Sequence, residues 1–170
     1  MVRHTRAEEE SERAELIRSA PVGRHAQLAA ALAGTLAANA VVDVSIVVAF
    51  VARDLPLTGS VAFACALFGA GAVFAAIAAI AAQVTAGARS AIGLATALIA
   101  VSFVLRAIGD VGDGRLSWLS PIGWAQAIRA FADERWWVLV LPIVAAAGGM
   151  ALAVSLQMRR DLGAGLVGQR

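Results

Sequence analysis

A chain of 170 residues would ordinarily make one soluble domain, but 60% hydrophobic residues and a mean hydropathy of +0.78 exclude that class and indicate an integral membrane protein. All fourteen basic residues are Arg, placed at the ends of apolar runs and not interleaved with aromatics, so the net charge of +2 marks topology and excludes a nucleic-acid surface. The single cysteine, Cys65, excludes an intrachain disulfide and, inside an apolar run, reads as a packing residue.

The chain opens with a charged segment, residues 5–24. Thr5 with Glu8 three residues on is a capping-box signature and predicts a helix start. Glu9 and Arg13 are four apart and Glu15 and Arg18 three apart, pairings that each stabilise a helix by roughly 0.3 kcal/mol. Pro21 and Gly23 stop it. Ala14, Leu16, Ile17 and Ala20 form a narrow apolar flank, which suits a helix lying on a membrane surface or another protein; the alternative is a solvated charged tail. No small-residue cleavage site comes after it, so a cleavable signal peptide is not expected. Residues 1–25 are therefore expected to form an amphipathic helix and elbow.

Residues 26–52 make the first predicted span. At full length it would be on the order of 40 Å long, against about 30 Å of hydrocarbon core, so it tilts or projects. Thr35, Asn39 and Asp43 are spaced four apart and fall on one face, with Gln27 and Ser45 near the ends. A carboxylate deep in a span costs roughly 2.5–3.5 kcal/mol on insertion scales, so Asp43 should face protein or water. Two readings stay open for the stripe: the lining of a translocation path, or interhelical hydrogen bonding.

The second span, residues 60–84, comes after the polar break of Arg53, Asp54, Pro56 and Gly59. Ala dominates it, and small pairs such as Ala66 with Ala70 and Gly71 with Ala75 let neighbouring backbones approach, which predicts a helix at the centre of a bundle. The third span covers residues 91–108, with Arg106 able to snorkel.

A connection rich in Gly, Asp and Trp comes next. Ser120 before Pro121 is a helix start, with Ser as cap and Pro at the first position, and a short interfacial helix is predicted over residues 120–134. Trp124, Ile128 and Phe131 would share one face of it. Trp118, Trp124, Trp136 and Trp137 are all the tryptophans of the chain and are expected to anchor this region at a membrane interface. Asp110 and Asp113 read as turn residues, too few for a cation site. The last span, residues 136–158, carries Pro142 and the pair Gly148 and Gly149, which predict a kink. Residues 159–170 read as a tail without fixed structure.

Four spans put both termini on one side of the membrane. Nine Arg lie on that side and five on the other, so the positive-inside rule predicts cytoplasmic termini and an extracellular tryptophan-rich connection. The fold class is all-α, an integral membrane bundle occupying residues 26–158. No GxxxxGK[ST] loop, zinc-type His and Cys spacing or nucleophile–base pair is present, so neither an enzyme nor a cofactor bound by this chain is expected.

The stretches RAEEE with RAEL, SPIGW and RRDLGAGL resemble the membrane subunit of bacterial ABC exporters for polyketide antibiotics of the tetronasin type, and the resemblance covers nearly the whole chain. It implies a plasma-membrane exporter of hydrophobic compounds, energised by a nucleotide-binding ATPase subunit that uses ATP and Mg. By that resemblance Glu8, Glu9, Glu10, Glu12, Arg13, Glu15 and Arg18 would contact the ATPase. The family carries two six-helix halves, so the chain corresponds to helices three to six of one half. The remaining permease helices or a second copy, the lipid bilayer and a hydrophobic small-molecule cargo would be its other partners. The other function considered is a non-transporting scaffold or accessory subunit, or a nonfunctional permease fragment.

Overall fold

The computed structural model describes residues 26–85 and 87–164. The predicted N-terminal helix, residues 1–25, lies outside the described residues. Two compact units divide the chain between Ala31 and Leu32. Of the first, residues 26–31 are described and form the opening turns of a helix. The second, Leu32–Arg170, holds all the other described residues.

Every regular element among the described residues is helical. In order they are α1 (Ala26–Val51), α2 (Leu57–Val84), α3 (Ala88–Val111), a 3-10 helix (Arg115–Leu119), α4 (Pro121–Ala127), a second 3-10 helix (Trp136–Leu139) and α5 (Val140–Ala164). Four stretches among the described residues are long and apolar enough to cross a membrane: Leu28–Val51, Leu57–Val84, Ala88–Val111 and Trp136–Arg159. Helix α5 continues to Ala164, so helix replaces the start of the expected tail.

The turn from α1 to α2 is a consequence of its polar break. Asp54 takes a left-handed conformation (φ 62°), which the short Asp side chain tolerates better than a branched one, and the Leu55 N–H returns to the Phe50 carbonyl at 3.1 Å. Pro56 precedes the first turn of α2, and the Ser60 hydroxyl donates to its carbonyl at 2.9 Å. At the other end, the Thr85 hydroxyl and N–H both donate to the Ala81 carbonyl, at 2.8 and 3.1 Å.

Helix α2 is the centre of the bundle. In its apolar window 44% of the residues are buried, against 6% in α3 and 22% in α5. Its buried side is almost entirely small: Gly59, Ser60, Ala62, Ala64, Ala66, Gly69, Ala72, Ala76, Ala79 and Ala81, with Val73 the only larger residue. Small side chains bring backbones together where lipid offers no hydrophobic driving force, so association rests on van der Waals contact and interhelical hydrogen bonds. The two helices approach closely at two glycines, Gly69 of α2 and Gly149 of α5. A Cβ on Gly69 would stand 2.9 Å from Pro142 Cγ, and one on Gly149 would stand 2.9 Å from Ala76 Cβ.

Two apolar clusters join these helices. One holds Ala62, Ala66, Ile128 and Val138, with Trp124, Leu139 and Leu141 around it. The other holds Ala72, Val73 and Ala146, with Leu36, Ile77 and Met150 packed on it.

The last span, where a kink is predicted, is not interrupted at Pro142 or at the glycine pair. Pro142 lies in the first turn of α5, where a missing N–H removes no bond from the helix interior, and α5 is one element through Gly148 and Gly149. The tryptophan-rich connection departs further from expectation. The Ser120 cap and Pro121 start are as predicted: Ser120 is fully buried, its hydroxyl accepts from the Gly123 N–H at 3.4 Å and donates to the Ser102 carbonyl of α3 at 2.7 Å. The helix, however, ends at Ala127 instead of near residue 134.

Tertiary contacts override the helical spacing there. Arg129, Phe131 and Asp133 adopt left-handed φ angles of 56°, 66° and 64°, and the Arg135 N–H closes the loop on the Ile128 carbonyl at 2.8 Å. Phe131 thereby leaves the face it was expected to share with Trp124 and Ile128. Its ring meets Phe50 edge-on, with centroids 5.8 Å apart, and covers Gly59, where no Cβ would fit. Ile128 is fully buried, so α4 is wedged into one end of the bundle and does more than rest on its surface.

Candidate functional site: a carboxylate in an apolar cleft

The polar stripe of α1 turns inward along its length. Thr35 is exposed, Asn39 is half-buried and Asp43 is buried. Spacings of four residues advance about 40° per step on a helix, so the face at Thr35 and the face at Asp43 diverge by about 80°. Thr35 is consequently not brought to the position that Asn39 and Asp43 occupy.

Asn39 meets α2 where α2 has no side chain. A Cβ on Gly71 would fall on the Asn39 amide, and the Asn39 Nδ2 donates to the Phe68 carbonyl at 3.2 Å. Such a bond satisfies a polar group that lipid cannot, and is worth about 0.6–2 kcal/mol in membrane helices. One turn on, Asp43 has no equivalent arrangement. It retains 6% of its surface, and its Oδ2 has no hydrogen-bond partner among the described residues.

Asp43 lines a cleft of about 580 Å³ between α1, α2 and the start of α5. Ala40, Val44, Val47 and Val48 come from α1, Val61, Ala64, Cys65, Phe68 and Gly69 from α2, and Leu139, Pro142 and Ile143 from the third wall. Asp43 is the only residue of that lining with a formal charge. Eight residues separate it from the end of α1 at Val51, placing it about 12 Å along the helix from that end.

Sequence reasoning singles out Asp43 and misses the walls around it. Val61, Cys65 and Phe68 recur at helical spacing, which marks a shared face, but hydropathy along an Ala-rich helix does not say which face meets α1. Cys65, a packing residue by its sequence context, is half-buried against the cleft.

At the end of the bundle bearing the tryptophans, the rings of Trp118 and Trp137 stack with centroids 5.8 Å apart and planes at 15°. Both are partly exposed, as is Trp136, whereas Trp124 is half-buried and its Nε1 donates to the Trp118 carbonyl at 2.6 Å. Arg106 pairs with Asp110 at 2.7 Å and donates to Gln126 Oε1 at 2.8 Å, linking α3 to α4. Asp113 accepts from the Arg115 backbone at 3.1 Å, the turn role its sequence position predicts. No group of three or more His, Cys, Asp or Glu side chains fit to hold a metal occurs among the described residues. The predicted coupling residues Glu8, Glu9, Glu10, Glu12, Arg13, Glu15 and Arg18 lie outside the described residues.

Four apolar spans, one of them a small-residue helix at the centre, with Asn39 bonded across to that helix and Asp43 buried in a cleft beside it, are the construction of a multi-pass membrane protein. No family model matches the chain. Over all 170 residues it is 48% identical to the multidrug efflux system permease protein Rv1217c of Mycobacterium tuberculosis, and it spans 31% of that relative's length. The relative's name agrees with the drug-exporter class implied by the sequence resemblance, while the narrower tetronasin type has no counterpart in it.

Proposed function

We propose that this chain is a membrane-spanning part of an efflux system in the bacterial plasma membrane, exporting hydrophobic compounds such as polyketide antibiotics or other drugs. The observation that carries this reading is the 48% identity, extending over every residue of the chain, to a multidrug efflux permease. ATP and Mg are used by a separate nucleotide-binding subunit, which pushes on the charged N-terminal segment through Glu8, Glu9, Glu10, Glu12, Arg13, Glu15 and Arg18. Both termini are cytoplasmic in this reading, consistent with nine Arg on their side against five on the other. Trp118, Trp136 and Trp137 then sit at the outer interface, and the spans switch between inward-open and outward-open arrangements around a path touched by Asn39 and Asp43. The partly exposed rings at one end of the bundle and the inward turn of the α1 stripe support these placements.

Reversing Glu9, Glu10 and Glu12 to Arg tests the coupling. The expected result is loss of drug efflux, and loss of a co-purifying P-loop ATPase, with membrane insertion unchanged. Unchanged efflux in a host that depends on this chain would overturn the reading in favour of a membrane scaffold.

A further inference from the structure

We propose that the cleft around Asp43 is a binding site for lipophilic cations, with the Asp43 carboxylate as their counter-ion. This names a cargo class for the exporter reading and rests on that reading only for what happens after binding.

The cleft is open at its rim, where Val44, Val48 and Ile143 are exposed, and its volume of about 580 Å³ falls within the range of roughly 300–1,000 Å³ typical of ligand pockets, which are mostly apolar with a few placed polar groups. Here the walls are Val47, Val61, Phe68 and Pro142, and the single placed group is a carboxylate. A ligand that suits both must bury apolar surface and bring one positive charge. The ionised carboxylate repels an anion, and a neutral compound leaves it without a partner.

A purely structural role for Asp43 would require it to join helices, and its bonding speaks against that. Asn39, one turn away, directs its donor to the Phe68 backbone, and Asp43 Oδ2 receives none from the described residues. No Arg lines the cleft, and Cys65 is the other titratable group there. A carboxylate retained in an apolar span costs roughly 2.5–3.5 kcal/mol, and in spans such residues characteristically mark ligand or ion paths. The aromatic ring of Phe68 on the facing wall adds a surface that attracts cations.

The test pairs tetraphenylphosphonium with tetraphenylborate, ions of matched shape and opposite charge. Equilibrium dialysis of the full chain in lipid nanodiscs, with empty nanodiscs subtracted, should show saturable binding of the cation and none of the anion. Asp43→Asn should weaken cation binding about tenfold or more, each factor of ten being about 1.4 kcal/mol, and Asp43→Glu should retain it. If the Asn variant does not fold, the preference of the unmodified chain for cation over anion carries the test alone. Equal binding of both ions, or of neither, would overturn the proposal.

Cys65, the only cysteine of the chain, supplies the location in membranes of the native host. Tetraphenylphosphonium should slow its alkylation by N-ethylmaleimide, read by mass on the Cys65 peptide. Alkylation that the cation does not slow, or a Cys65 that never reacts because neighbouring helices fill the cleft, would overturn the site. Cation binding with no effect of the chain on efflux would sink the exporter reading and leave the site standing. Efflux without cation binding would do the reverse.

Discussion

Asn39 of α1 donates to the Phe68 carbonyl of α2 across 3.2 Å, at a place where Gly71 leaves no side chain between the two helices. The bond and the glycine depend on each other. Gly71→Ala would set a methyl on the Asn39 amide and displace it, and Asn39→Ala would remove the donor. Each is expected to lower stability by about 1 kcal/mol, with the double variant costing clearly less than the sum because both lose one interaction. Unfolding of the purified chain by dodecyl sulfate measures the cycle, and additivity within about 0.3 kcal/mol would show that the two residues act independently.

Gly148 and Gly149 are adjacent in α5 and should respond in opposite directions. A Cβ on Gly148 meets nothing within 4 Å, whereas one on Gly149 stands 2.9 Å from Ala76 Cβ. Gly148→Ala should raise stability by up to about 1 kcal/mol through helix propensity and a less flexible unfolded chain. Gly149→Ala should lower it by prying α5 from α2, and Ala76→Gly should restore the loss. Thermal unfolding in detergent distinguishes the pair, and equal behaviour would mean that α2 and α5 are not in close contact there.

The spans were legible because hydropathy and length are properties of single segments, and lipid imposes both. The Ser120 cap was legible for a similar reason: Ser followed by Pro needs only the next three residues to be satisfied. The loop after Ala127 was not, since its course is set by Phe131 reaching Phe50 and Gly59, residues more than seventy positions away. Asp43 stood out because a carboxylate in a span is costly wherever it points. Its cleft did not, because an Ala-rich helix has small residues on every side, and only the assembled bundle selects Cys65, Phe68 and Gly69 to face it.

Ser120 fastens α4 to α3 from a position with no exposure, donating to the Ser102 carbonyl at 2.7 Å and accepting from the Gly123 N–H at 3.4 Å. Ser120→Ala removes the cap and the bond to α3 together, and is expected to cost about 1–3 kcal/mol. The loss should appear as faster exchange of the Gly123 and Trp124 amides, with the amides at the middle of α2 unaffected. Uniform loss of protection across the chain would show that α4 does not open separately from the spans.

Asp43 is expected to oppose stability where Asn39 supports it. Its carboxylate is buried against valine and phenylalanine side chains, with Oδ2 unbonded among the described residues. Leu in its place would exchange a residue that disfavours a span by roughly 2.5–3.5 kcal/mol for one that favours it by about 0.5 kcal/mol. Asp43→Leu should therefore unfold at a higher dodecyl sulfate fraction than the unmodified chain, by about 2 kcal/mol once packing losses in the cleft are included. A gain would mean that the fold tolerates this residue for something other than holding the helices together, the stability–function trade-off of a ligand site. A loss of stability would assign Asp43 to interhelical bonding instead, and its place beside Asn39 on α1 would then be explained by packing alone.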